Sequence, residues 1–68
     1  MQLDKHEIEV DGDRVWLLDA VGQRLCDLRE MQLLDFGGRI SVESGLLNFD
    51  LDAGEWRERL IALGLEPH

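Results

Sequence analysis

The chain has few of the residues that stabilise small exported domains. Its 68 residues include one cysteine, Cys26, and one proline, Pro67. A single cysteine can form neither an internal disulfide nor a thiolate zinc cluster. Residues 1–10 lack the basic and apolar regions of an export signal, and no apolar run is long enough to span a membrane. These features predict a soluble, cytoplasmic protein with no membrane association.

Positive charge is also scarce, because 7 basic residues face 15 acidic ones and the net charge is -8. The resulting field repels phosphate, so we expect no direct binding to nucleic acid. A basic protein partner would instead be attracted at low salt. The same charge can also serve solubility alone, without any partner.

The composition is that of a folded protein, with 44% hydrophobic and 32% charged residues. A chain this short has room for one core. The sequence shows no repeat, low-complexity tract or linker. We therefore expect a single domain over residues 1–68.

Residues 7–18, EIEVDGDRVWLL, have the pattern of a β-hairpin. The predicted strands lie near 6–10 and 14–19, joined by a loop of Asp11-Gly12 or Gly12-Asp13. Because side chains alternate along a strand, either loop places the same residues on the buried face. These residues are Ile8, Val10, Val15 and Leu17.

Trp16 and Leu18 lie on the opposite face of this hairpin, beside Glu7 and Glu9. An aromatic anchor with a charged rim is typical of interface hot spots, so these four residues are the candidate protein-interaction site. The structural alternative is that Trp16 lies under the C-terminal helix or inside a closed barrel.

The middle of the chain is harder to assign. Residues 20–23 predict a turn, and residues 24–36 predict one bent strand or two short strands between glycines. The alternative makes residues 19–35 a second helix, since this stretch contains good helix formers.

Two further turns, Gly37-Gly38 and Ser44-Gly45, enclose a predicted strand over 39–43, and a second predicted strand follows over 46–51. Pairing across Ser44-Gly45 predicts an ion pair on one face and apolar pairs on the other. The predicted pairs are Val42 with Leu47, Ile40 with Phe49, and Arg39 with Asp50.

The C-terminal helix is predicted over 52–64. Asp52 and Glu55 have the spacing of a capping box at its start. Gly64 is suited to a left-handed C-cap, after which Leu65 can pack back on Leu60. The fold class that follows is α+β: a small curved antiparallel β-meander of five or six short strands with one C-terminal α-helix packed on it.

No group of residues predicts catalysis. Cys26 lacks a nearby base and reads as a core residue, while His6 and His68 are too far apart in sequence for a zinc motif. Asn48, Asp50 and Asp52 alternate as calcium ligands do, but the glycine and glutamate of a calcium loop are missing. We expect no enzyme activity, cofactor or metal.

The predicted function is a non-catalytic protein–protein interaction module, a small acidic regulator or inhibitor of a larger protein. One alternative is a self-assembling homodimeric structural subunit that closes through its strand edges. Another is an inhibitor whose carboxylates mimic nucleic acid and occupy a basic groove on a DNA- or RNA-handling protein.

Overall fold

The computed structural model describes residues 5–68; residues 1–4, part of the segment without an export-signal pattern, lie outside this range. Six strands precede one helix. In chain order they are β1 Glu7–Asp11, β2 Arg14–Leu18, β3 Arg24–Asp27, β4 Gln32–Asp35, β5 Arg39–Ser44, β6 Leu47–Asp52 and α1 Ala53–Ala62. The strands form two three-stranded antiparallel sheets, β1-β2-β3 and β4-β5-β6. The predicted α+β class is confirmed.

The first hairpin forms with the second of the two predicted loops. Asp11 pairs with Arg14, so Gly12 and Asp13 make the turn, and Gly12 adopts a positive φ of 60°. Glycine suits this position because it has no Cβ to clash in the left-handed region.

The middle segment contains two short strands, as preferred from the sequence, and the alternative second helix is wrong. A single 3₁₀ turn, Leu28–Glu30, separates β3 from β4. Asp27 begins this turn, and its Oδ1 accepts a hydrogen bond from the main-chain N–H of Arg29 at 3.0 Å. The short polar side chain of Asp27 thus stabilises the bend between the sheets.

The register of the β5–β6 hairpin differs by two residues from the prediction. Ser44 pairs with Leu47, so Gly45 and Leu46 form the turn, with Gly45 at φ 55°. The shift places Val42 opposite Phe49 and Ile40 opposite Leu51. It also buries the Ile40–Leu51 pair, whose members are 0% and 1% exposed. The predicted faces survive because a two-residue shift preserves alternation.

One cluster of buried side chains joins both sheets and the helix. α1 packs against β5 and β6. The buried apolar members are Val15, Leu17, Cys26, Leu28, Leu33, Ile40, Val42, Leu51, Ala53, Trp56 and Leu60. Val10, assigned to the buried face, is 59% exposed because it lies beside the turn at the end of the hairpin. Its direction was predicted, but the core does not extend that far.

The start of α1 corrects the predicted capping box. Asp52 stands at the N-cap, but its side chain makes no capping hydrogen bond. Asp52 is also the last residue of β6, opposite Arg39, and the first helical N–H, that of Ala53, donates to the carbonyl of Gly38 at 3.3 Å. The neighbouring hairpin therefore satisfies the first helical N–H, which is a different donor from the N2 or N3 group that a capping carboxylate would bond.

The end of α1 follows the prediction. Gly64 has φ 80°, and its N–H donates to the carbonyl of Ile61 at 2.9 Å. The N–H of Leu65 donates to the carbonyl of Leu60 at 2.8 Å, and the Leu65 side chain packs on the core. These two bonds define a Schellman motif, which satisfies carbonyls that the helix leaves unpaired.

A bidentate ion pair connects α1 to β4. Arg57 donates from Nε and Nη2 to the two carboxylate oxygens of Asp35, each at 2.8 Å, and Nη2 also reaches the Gly37 carbonyl at 2.9 Å. The hydrogen bonds from Arg57, followed by that from the Gly37 N–H, lower the pKa of Asp35. Arginine's planar fork matches a carboxylate in this geometry.

This contact predicts a specific loss of stability in acid. The Asp35 carboxyl has an ordinary pKa of 3.8 and a lower one in the folded chain. The pair therefore stabilises the fold above that ordinary value, and its contribution disappears as pH falls through the folded pKa. Asp35→Asn should lower the thermal unfolding midpoint at neutral pH, and the difference from wild type should shrink by about pH 2.

The matched control is Asp13→Asn, because Asp13 is exposed and has no ion-pair partner among residues 5–68. Thermal melts monitored by circular dichroism at several pH values measure both variants. A gap between wild type and Asp35→Asn that stays constant from neutral to acidic pH would contradict the assignment.

Candidate functional site

Trp16 lies at the centre of the outer face of the first sheet. Its strand neighbours Val15 and Leu17 are 2% and 0% exposed and point into the core, so Trp16 points the other way. Glu9 is its partner on β1 and Asp27 its partner on β3. The side chain is half-buried even though it is outside the core.

Two arginines cover the Trp16 ring. The guanidinium carbon of Arg24 lies 4.8 Å from the ring centroid, and that of Arg14 lies 5.7 Å away. Cations in this position are attracted by the negative face of the indole. The half-burial of Trp16 is thus accompanied by arginine stacking on its own sheet.

The same arginines bind the acidic side chains around the ring. Arg24 Nε donates to Glu9 Oε1 at 2.8 Å, and its Nη2 lies 3.7 Å from Asp11 Oδ2. Arg14 Nη1 lies 3.8 Å from Asp27 Oδ2. The hydrogen bond to Glu9, together with the nearby charges of Glu9 and Asp11, raises the pKa of the Arg24 guanidinium. The ring therefore sits in a network of alternating charges.

The four residues predicted for the site share this face. Glu7 pairs with Leu18, and Glu9 pairs with Trp16, at alternate positions of the β1–β2 ladder. Glu7 also contacts the helix, since its Oε2 lies 3.4 Å from Arg59 Nη2. Both glutamates are thus held by arginines that the sequence interpretation did not include.

We define the Trp16 face as the four predicted residues together with the two arginines that stack on the ring. Its members are Glu7, Glu9, Arg14, Trp16, Leu18 and Arg24. Arg24 was missed because a bulge between Leu17 and Leu18 shifts the β2–β3 register, and Leu18 pairs with Arg24 only after that shift. Strand alternation alone does not reveal such an irregularity.

The indole N–H of Trp16 is turned away from solvent. Its Nε1 atom is buried and has no hydrogen-bond partner within residues 5–68. A buried donor without a partner costs folding free energy. The indole donor is therefore not available to a group outside the chain.

Most of the chain's positive charge is used internally. Five arginines, at positions 14, 24, 39, 57 and 59, form ion pairs within the chain. Several acidic side chains are exposed with no such partner among residues 5–68. They are Asp13, Glu30, Asp52, Glu58 and Glu66. The surface charge available to a partner is consequently negative.

The remaining reactive side chains are held in structural roles. Cys26 is 8% exposed, and burial followed by the charge of Asp27 raises the pKa of its thiol to about 11. Ser41 is 3% exposed, and its hydroxyl donates to Glu43 Oε2 at 3.1 Å. A thiol with so high a pKa stays protonated near neutral pH. In the described part of the chain, no cluster of three metal-ligating side chains is present.

Comparison with known proteins returns no match, whether to family models, to curated proteins or to solved structures. Within residues 5–68, no helix combines the length and apolar character that a membrane crossing requires.

Proposed function

We propose that this protein is a non-catalytic protein-interaction module, a small acidic regulator or inhibitor that binds a larger basic protein through the Trp16 face. The observation that carries the proposal is the Trp16 ring itself. It lies on a sheet face turned away from the core, with the guanidinium carbons of Arg24 and Arg14 at 4.8 Å and 5.7 Å from its ring centroid. Tryptophan and arginine are the residues most enriched in interface hot spots.

Existing ion pairs give the Trp16 face a defined shape before binding. Arg24 is fixed by Glu9, and Arg59 connects Glu7 to the helix. Side chains that are already ordered lose less conformational entropy when a partner binds. The network therefore supports recognition by a preformed surface.

Charge determines the kind of partner that fits. With a net charge of -8 and five arginines already paired, the protein attracts a basic surface from a distance. Such attraction increases the association rate at low salt and is weakened by added salt. A basic protein satisfies this requirement without any catalytic group in the chain.

The test compares Trp16→Ala with Phe36→Ala as baits in affinity capture from cell lysate. Phe36 is the matched control, because it is 57% exposed and also has an arginine, Arg39, 5.2 Å from its ring centroid, but it lies in the connection between β4 and β5. Captured proteins are identified by mass spectrometry, and the affinity of each purified candidate is measured at low and high salt.

The expected result is a basic protein that wild type and Phe36→Ala both bind and that Trp16→Ala binds at least about tenfold more weakly, the size of a modest hot spot. Circular dichroism must show that both variants retain the fold. Equal binding by the two variants, or recovery of this chain alone, would refute the proposal.

A further inference from the structure

Asp11 and Gly12 form the one Asp-Gly pair in the sequence, and they lie where β1 enters its hairpin turn. Asp11 is the last residue of β1 and pairs with Arg14, while Gly12 opens the turn at φ 60°. The main-chain nitrogen after an aspartate can attack the aspartate's own carboxyl carbon and close a succinimide ring, because the two groups are already held close together. Glycine hinders this attack least, since it has no Cβ.

The Asp11 carboxylate is loosely held. Its side chain is 65% exposed, and its Oδ2 lies 3.7 Å from Arg24 Nη2, which is too long for a hydrogen bond. By contrast, Asp19 Oδ1 accepts hydrogen bonds from the main-chain N–H groups of Val21 and Gln23 at 3.0 and 2.9 Å. Asp11 can therefore rotate toward the main chain without losing bonds of this kind, whereas Asp19 cannot.

The main-chain nitrogen of Gly12 is also accessible. Within residues 5–68, its N–H donates no main-chain hydrogen bond. A Cβ placed on Gly12 would have no heavy atom within 4 Å apart from those of its two chain neighbours. The turn lies at the end of a hairpin, where local opening costs little free energy. Such opening lets the nitrogen approach the Asp11 carboxyl carbon.

We propose that Asp11-Gly12 is a site of spontaneous modification, at which Asp11 converts to isoaspartate in the folded protein. The Gly12 nitrogen forms a bond to Asp11 Cγ, and the carboxyl hydroxyl leaves with the amide proton as water. Water then opens the ring at the Asp11 main-chain carbonyl, so that Cγ stays bonded to the Gly12 nitrogen. The net reaction consumes nothing and needs no enzyme, cofactor or oxidant. It does not depend on the proposed function.

Isoaspartate at this position changes the edge of the Trp16 face. The main chain then runs through Cβ and gains one methylene group, which disrupts the Asp11–Arg14 pair that closes the hairpin. The displaced carboxylate also leaves its 3.7 Å contact with Arg24. Arg24 keeps its 2.8 Å bond to Glu9. Isomerisation therefore removes one of the two carboxylates that hold Arg24 beside the Trp16 ring.

The test incubates the folded protein at neutral pH beside the free peptide HEIEVDGDR, residues 6–14, which is also the fragment that trypsin releases from the chain. Electron-transfer fragmentation of this fragment distinguishes isoaspartate from aspartate at positions 11 and 13. The matched variants are Asp11→Glu and Asp13→Glu, because glutamate keeps the charge but closes a larger ring less readily. Circular dichroism must show that both variants retain the fold.

We expect isoaspartate at position 11 in wild type and in Asp13→Glu, and its loss in Asp11→Glu. The folded protein should react no more than about tenfold more slowly than the free peptide, which corresponds to about 1.4 kcal/mol of added barrier. A folded chain that reacts more slowly than this limit would overturn the proposal, because the hairpin would then protect the site. Equal conversion of Asp11 and Asp13 would also overturn it, since Gly12 would not determine the position.

Discussion

Trp56→Ala is expected to remove a large fraction of the protein's free energy of unfolding. Trp56 is 3% exposed and lies in the middle of α1, where it belongs to the core cluster formed by both sheets. Truncating a buried tryptophan to alanine costs about 3–5 kcal/mol, because the apolar contact is lost and a cavity remains. A chain of 68 residues has a free energy of unfolding of roughly 3 to 10 kcal/mol, so this loss can remove most of it.

The cost has a second contribution on the outer side of the ring. The guanidinium carbon of Arg59 lies 4.1 Å from the Trp56 ring centroid, and Arg59 contacts both Glu7 and Glu55. Without the ring, the guanidinium loses the surface on which it stacks. The contact between α1 and β1 should therefore weaken together with the core.

Ile61→Ala is the matched control on the same helix. Ile61 is 49% exposed, and alanine has a higher helix propensity than isoleucine, so the free energy of unfolding should change by no more than about 0.5 kcal/mol. Urea unfolding followed by circular dichroism measures both variants. Similar losses in the two variants would show that α1 is not held by Trp56.

Features governed by local pattern were predictable from the sequence. The first hairpin and the direction of Trp16 follow from the two-residue period of a strand and one Asp-Gly turn. The Schellman motif at Gly64 follows from a glycine placed just after an apolar helical stripe. In each case, the residues that determine the geometry are close together in the chain.

The register of the β5–β6 hairpin could not be predicted from the alternation of side chains along the strands. Turns centred on Ser44-Gly45 and on Gly45-Leu46 both place Val42 and Phe49 on the same face, since the two registers differ by two residues. The choice between them depends on burial of Ile40 against Leu51, which is a property of the assembled core. Alternation cannot distinguish these registers.

The features that sequence reasoning missed involve residues far apart in the chain. Arg57 binds Asp35 across 22 positions, and Arg59 reaches Glu7 across 52. Charged residues are common enough that their types do not specify which pairs meet. The pairing of His68 with β4 is equally nonlocal, and it uses main-chain atoms that every residue except proline possesses in full.

Asp52 illustrates a conflict between a local motif and its surroundings. Its spacing from Glu55 fits a capping box, yet Asp52 also closes the β6 ladder opposite Arg39. The strand pairing brings the Gly38 carbonyl close to the first helical N–H, which satisfies that donor without a side chain. The spacing of Asp52 and Glu55 therefore does not by itself establish a capping hydrogen bond, because the strand that ends at Asp52 also constrains this residue.

Leu17→Ala and Val10→Ala provide the second large contrast, between two residues that the sequence assigns to one face. Leu17 is 0% exposed at the centre of its sheet, between Ile8 and Cys26, whereas Val10 is 59% exposed beside the hairpin turn. Leu17→Ala should lower the free energy of unfolding by about 2–5 kcal/mol. Val10→Ala should lower it by less than about 1 kcal/mol, mainly through reduced strand propensity.

Chemical denaturation measures the free energy of unfolding of both variants. The two variants should have the same m-value, because each exposes about the same surface on unfolding, so a difference between their midpoints reports a difference in stability. If Val10→Ala were as destabilising as Leu17→Ala, the core would have to extend to the hairpin turn and cover Val10. If Leu17→Ala were as mild as Val10→Ala, the first sheet would contribute little to stability. In that second case, the Trp16 face would rest on a sheet too weakly packed to hold the arginines of its network in place.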